Sequence, residues 1–198
     1  MKKTTLWLNY LRPNIFVKDI SQIDIHSLKV NGTKLIVCDL DNTLVPHFSK
    51  FPNKFVYQFL DKIKREGIKI VIASNNSKKR VNNFVSKLNQ LSYEIDSLAN
   101  CKKPLLGKIK KYIRNKGYDF HDIAIIGDQF ITDVFLANRL KAKSILVLPM
   151  VDPNRTYNTN FFIRILEKYI YKNLQHGNLS KINSFNDEDK NEDEYELL

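Results

Sequence analysis

The chain has 198 residues, 43% of them hydrophobic, and a formal net charge of +11. That length suits one domain with short appendages, and the apolar fraction excludes a chain that is disordered throughout. Its two cysteines, Cys38 and Cys101, form no C-x-x-C pair, which argues against a zinc or disulfide framework and fits reduced thiols in a cytoplasmic protein.

The lead segment, residues 1–33, opens Met1-Lys2-Lys3, but Asn9, Arg12 and Pro13 break its apolar run. No cleavable signal is expected there, and no stretch reaches the ~18 apolar residues of a transmembrane helix. Leu6, Trp7, Leu8, Tyr10, Leu11, Ile15, Phe16 and Val17 mix with Lys2, Lys3, Arg12 and Lys18. Such a segment either packs back on the domain or lies in the interface of an anionic membrane. Pro13 limits the helix length and favours packing.

Residues 34–176 hold the main domain. Apolar runs at 34–39, 68–74, 122–127 and 143–149 are nearly continuous, as expected of parallel strands covered on both faces. A weaker strand is expected at 93–98. Between them lie amphipathic stripes. Phe55, Val56, Phe59, Leu60 and Ile63 form the first, stopped by Gly67; Val81, Phe84, Val85 and Leu88 form the second. Leu105, Leu106, Ile109, Tyr112 and Ile113 form the third, with Pro104 expected in its first turn and Gly117 at its end. A fourth covers 134–140. The alternation predicts an α/β fold whose ligands bind at the carboxyl ends of the strands.

A last helix is expected at 158–174. Residues 177–198 are expected to be a disordered tail, because Asp187 to Leu198 carries seven acids against the single base Lys190. The body before it is correspondingly basic, which suits phosphorylated substrates, nucleic acid or anionic lipid, or else a simply solvated lysine-rich surface.

The strand ends carry the chemistry. The first ends in Asp39-Leu40-Asp41-Asn42-Thr43, the second in Ser74-Asn75-Asn76, and the fourth in Gly127-Asp128 with Asp133 five residues on; Lys102-Lys103-Pro104 precedes the third helix. Side chains two apart on an extended chain point the same way. Asp39 and Asp41 would therefore repel one another unless a hard divalent cation sat between them. Read without context, Asp39-x-Asp41 equally suits a turn cap, Asp133 a helix N-cap, Asn76 a turn residue and His47 an exposed loop residue.

D-L-D-N-T, the strand-end Ser, the Lys before a helix and G-D-x-x-x-x-D, in that order over 34–149, resemble the four motifs of the haloacid dehalogenase (HAD) superfamily. The strings CDLDNTLV, ASNNS, KKP and IGDQFITDV, with Leu11-Arg12-Pro13, are similar to the YqeG-type HAD IIIA phosphatases, whose relatives include phosphatidylglycerophosphate phosphatases. The resemblance implies a Rossmannoid three-layer α/β/α sandwich with a mainly parallel sheet. It also implies a Mg²⁺-dependent phosphomonoester hydrolase.

In that reading Asp39 is the nucleophile and Asp41 the acid and base. Lys103, rather than Lys102, stabilises the phosphoryl group, and Thr43, Ser74 and Asn75 assist at the phosphate. Asp39, Asp41 (through its carbonyl) and Asp128 hold the metal, with Asp133 behind them. No interval leaves room for a large cap domain, so an open site is expected, one that admits a lipid head group at an anionic membrane. The alternatives are nucleic-acid ends, small phosphorylated metabolites, or a basic RNA- or ribosome-associated role.

Overall fold

The computed structural model describes residues 9–150 together with Tyr169 and Ile170. Leu6, Trp7 and Leu8, the remainder of the helix expected at 158–174, and the tail at 177–198 lie outside the described residues.

Six strands form one sheet: β1 (Ile15–Val17), β2 (Leu35–Cys38), β3 (Lys69–Ala73), β4 (Asp96–Leu98), β5 (Ile123–Gly127) and β6 (Lys143–Val147). Their order is β1-β6-β5-β2-β3-β4, and every pairing is parallel. Successive side chains of a strand face opposite ways, so β2 feeds two cores. Ile36 and Cys38 pack with α1 (Ile25–Val30), α2 (Lys54–Arg65) and α3 (Lys78–Asn89). Leu35 and Val37 pack with α4 (Gly107–Asn115) and α5 (Phe135–Leu140). This is the expected three-layer α/β/α sandwich. Fully buried side chains such as Phe59, Phe84 and Leu60 anchor the helical layer, each contributing roughly 1.5–3 kcal/mol.

Strand β1 comes from the lead segment and was not foreseen. Its sequence, Ile-Phe-Val, is too short to show a strand pattern. Its place is fixed instead by Asn14, whose Oδ1 accepts from the Ser144 backbone N–H at 2.7 Å while its own N–H donates to the Ser144 carbonyl at 3.0 Å. Leu11 and Phe16 are buried in a third cluster with Phe130, Val134, Leu146 and Ile170. These residues of the lead therefore pack on the domain.

Two helix starts differ from expectation. α4 begins at Gly107, so Pro104 lies in the preceding loop and not in a first helical turn. The fourth stripe opens with a π turn, Phe130–Val134, before α5. Between β2 and β3 the ordered element is α2, and between β4 and α4 there is only a loop. Among the described residues nothing is inserted over the carboxyl edge of the sheet.

Candidate active site

Parallel β2 and β5 lie side by side, with Cys38 in register with Ile126. The Asp39 N–H extends that ladder to the Ile126 carbonyl at 2.9 Å. Asp39 and Asp128 therefore leave neighbouring strands at the same edge, and both are nearly buried.

The loop after β4 delivers Lys103. Its ammonium donates to Asp39 Oδ1 at 2.6 Å and to Asp133 Oδ1 at 2.7 Å, with all three side chains at most 10% exposed. Lys102 is exposed at φ +54°, so of the two lysines it is Lys103 whose charge reaches the site. The backbone of Lys103 is clamped by one side chain. Asn75 Oδ1 accepts its N–H at 2.6 Å, and Asn75 Nδ2 donates to its carbonyl at 3.1 Å. Asn75 was expected at the phosphate; both ends of its amide are used instead to place the lysine.

Thr43 is fully buried and donates to Asp128 Oδ1 at 3.3 Å. It supports a carboxylate of the candidate site. Asp133 sits inside the π turn. It accepts from Lys103, from Thr132 Oγ1 at 2.9 Å and from the Gln129 N–H at 3.3 Å. It is thus not a simple helix cap. Gly127 makes room for it, since a Cβ there would stand 2.2 Å from Asp133 Cγ.

Asp41 turns to the β3–α3 connection. Its Oδ2 accepts from Ser74 Oγ at 3.4 Å and Asn76 Nδ2 at 3.2 Å. Its Oδ1 accepts from Arg80 Nε at 3.1 Å and Nη2 at 2.9 Å. The Asp41 carboxylate is therefore turned to Arg80, which leaves its backbone carbonyl as the group expected at the metal. Among the described residues no three acidic, histidine or cysteine side chains form a metal cage. Sequence reasoning missed Arg80. It is the third cation in the run Lys78-Lys79-Arg80, and only the helical phase from the N-cap Ser77 selects it. Ser74 likewise touches Asp41 here. His47 lies beside the site loop, its backbone N–H on Asn42 Oδ1 and its ring edge-on to Phe48.

Burial dominates the electrostatics. Desolvation pushes the Asp39 carboxyl up to about 7; Lys103 opposes this, and Asp133 and Asp41 add to it. Burial also lifts Asp128 well above the carboxylate range, and Asp39 and Asp133 reinforce that shift. Burial alone would lower the Lys103 pKa, but attraction to Asp133 and Asp39 outweighs it and raises it. Three clustered carboxylates thus share the charge of one ammonium. A hard divalent cation fits this excess of buried oxygen charge. Mg²⁺ is commonly bound by one or two carboxylates, with water and substrate phosphate completing its shell, and Asp39 and Asp128 are that kind of donor pair.

A family model described as "Mitochondrial PGP phosphatase" matches residues 3–151. "Probable phosphatase YqeG" of Bacillus subtilis (strain 168) is 34% identical over 141 residues, which span 71% of this chain and 79% of that protein. Two solved structures are more distant. A HAD-superfamily hydrolase from Ehrlichia chaffeensis superposes with a TM-score of 0.48 at 15% identity, covering 73% of this chain and 98% of that one. The 3-deoxy-D-manno-octulosonate 8-phosphate phosphatase from Moraxella catarrhalis, in complex with magnesium ion, phosphate ion and KDO, gives 0.45 at 16% identity, over 75% and 91%.

Proposed function

The chain belongs to the PGP phosphatase family of HAD-superfamily phosphatases, and from that premise we propose that it removes the terminal phosphate of phosphatidylglycerophosphate. The observation that carries the chemistry is the Asp39–Lys103–Asp133 ion triad at the carboxyl edge, with Asp128 beside it and Asp41 two residues along the chain.

Asp39 attacks phosphorus through a carboxylate oxygen. The new O–P bond forms as the ester P–O bond breaks, leaving an aspartyl-phosphate. The Lys103 ammonium, already on Asp39, draws the phosphoryl oxygens toward the nucleophile and offsets the repulsion between two anions. Asp133 fixes that ammonium in place. Asp41 protonates the departing glycerol oxygen and then takes a proton from the water that attacks phosphorus. That second attack releases phosphate and restores Asp39. For either proton transfer Asp41 must loosen from Arg80, since a carboxylate ringed by donors acts only as an acceptor. Mg²⁺ held by the Asp39 and Asp128 carboxylates and the Asp41 carbonyl would neutralise charge between nucleophile and phosphate.

Among the described residues nothing is inserted over this edge, which leaves a lipid head group access to it. The test is phosphate release from phosphatidylglycerophosphate in mixed micelles, measured beside an oligonucleotide 3′-phosphate and a sugar phosphate. The expected order is lipid first by at least about tenfold in kcat/KM, with all activity lost on chelation and restored by Mg²⁺. A faster reaction with either of the other two would overturn the lipid assignment while leaving the phosphatase chemistry standing.

A further inference from the structure

The β-to-α connections surround the site at the carboxyl edge, and their outer surface has an unusual composition. Three stretches of them, residues 46–56, 74–81 and 102–108, contain no Asp or Glu, while the connection after β1 carries Asp19 and Asp24. The three acid-free stretches do carry the exposed lysines Lys50, Lys54, Lys78, Lys79, Lys102 and Lys108. On the same connections three apolar side chains stand in solvent: Phe51 at 64%, Phe55 at 50% and Leu105 at 60% exposure, with Phe48 at 37% beside them. Neighbouring cations hold two of the phenyl rings. Lys87 on α3 donates to the Lys50 carbonyl at 2.7 Å and sits 3.5 Å from the centre of the Phe51 ring. Lys54 lies 5.1 Å from the Phe55 ring centre.

Resting on the lipid-phosphatase reading above, we infer that this edge is the surface that seats the protein on an anionic bilayer. Phe51, Phe55 and Leu105 enter the headgroup layer, and the surrounding lysines face lipid phosphates. The chemistry matches on both counts. Exposed aromatic and aliphatic side chains gain by leaving water at a bilayer interface, and lysines on acid-free stretches of chain gain from its negative surface potential. Topology supplies the rest of the argument. Parallel strands put every β-to-α connection at the edge where Asp39 and Asp128 emerge, so docking by this face turns the open site toward the lipid. Of the other exposed apolar residues among those described, Val30 at the end of α1 and Leu91 just past α3 lie on the opposite, α-to-β edge, and Tyr10 and Tyr169 lie outside these connections.

The experiment measures full-length protein cosedimenting with vesicles, without turnover. One set of vesicles is pure phosphatidylcholine; the other is equal parts phosphatidylcholine and phosphatidylglycerol. The wild type is expected to bind the mixed vesicles, to release them as salt is raised, and to ignore the neutral ones. The double variant Phe51→Ser/Phe55→Ser and the separate variant Lys50→Gln/Lys54→Gln should each weaken that binding by about tenfold. Both variants should keep wild-type hydrolysis of the soluble monoester p-nitrophenyl phosphate, which shows that they are folded. Undiminished vesicle binding in both would overturn the inference. So would a wild type that ignores mixed vesicles, or one that prefers single-stranded RNA to them. Because binding is read without catalysis, an inactive Asp39→Asn protein that still binds vesicles supports the surface whatever the substrate proves to be.

Discussion

Asp41 and Arg80 form the pair on which the proposed proton transfer turns. Both side chains are 16% exposed, and the guanidinium grips one carboxylate oxygen through Nε and Nη2. Lysine cannot reproduce a two-nitrogen grip. Arg80→Lys is therefore expected to misplace Asp41 and lower kcat by about tenfold with little change in KM; steady-state kinetics on a soluble monoester decides it, and an unchanged kcat would leave Arg80 without influence on Asp41. At this scale the sequence was informative about where a residue sits, wherever that follows from its strand end. Asp39, Asp41, Lys103, Asp128 and Asp133 all lie where the motif spacing sends them. Roles that depend on side-chain direction were hidden. Nothing in Ser-Asn-Asn announces that Asn75 grips the backbone of a lysine 28 residues away while Asn76 reaches Asp41.

The elements position these groups through a few tight fits. The turn after β5 is one, because Asp133 folds back against Gly127. An alanine there would place its Cβ 2.2 Å from a carboxylate already bonded to Lys103, Thr132 and Gln129. That carboxylate cannot yield without breaking its bonds, so Gly127→Ala is expected to cost about 2–3 kcal/mol. A lower urea midpoint at an unchanged slope would report this loss, whereas an unaltered midpoint would mean that the turn relaxes freely. Long strands and helices were legible because burial on both faces of β2, β5 and β6 produces unbroken apolar runs. β1 and the start of α4 were not. A three-residue edge strand has no period to detect, and Pro104 is compatible with a first helical turn as well as with the Asn75-clamped loop that it occupies.

At the scale of the molecule, one sheet edge collects the candidate site, the exposed Phe51 and Phe55, and lysines on acid-free stretches of chain. The net charge of +11 signals attraction to polyanions without saying where; the parallel topology concentrates part of it around the site. Everything proposed for turnover depends on Asp39 becoming transiently phosphorylated. The most direct measurement is to quench the working enzyme in acid with a phosphate-labelled substrate and map the label by peptide mass. The account predicts a phosphoryl group on the peptide containing Asp39, and no label with Asp39→Asn. A label on a different side chain, or steady release of phosphate by Asp39→Asn, would contradict it.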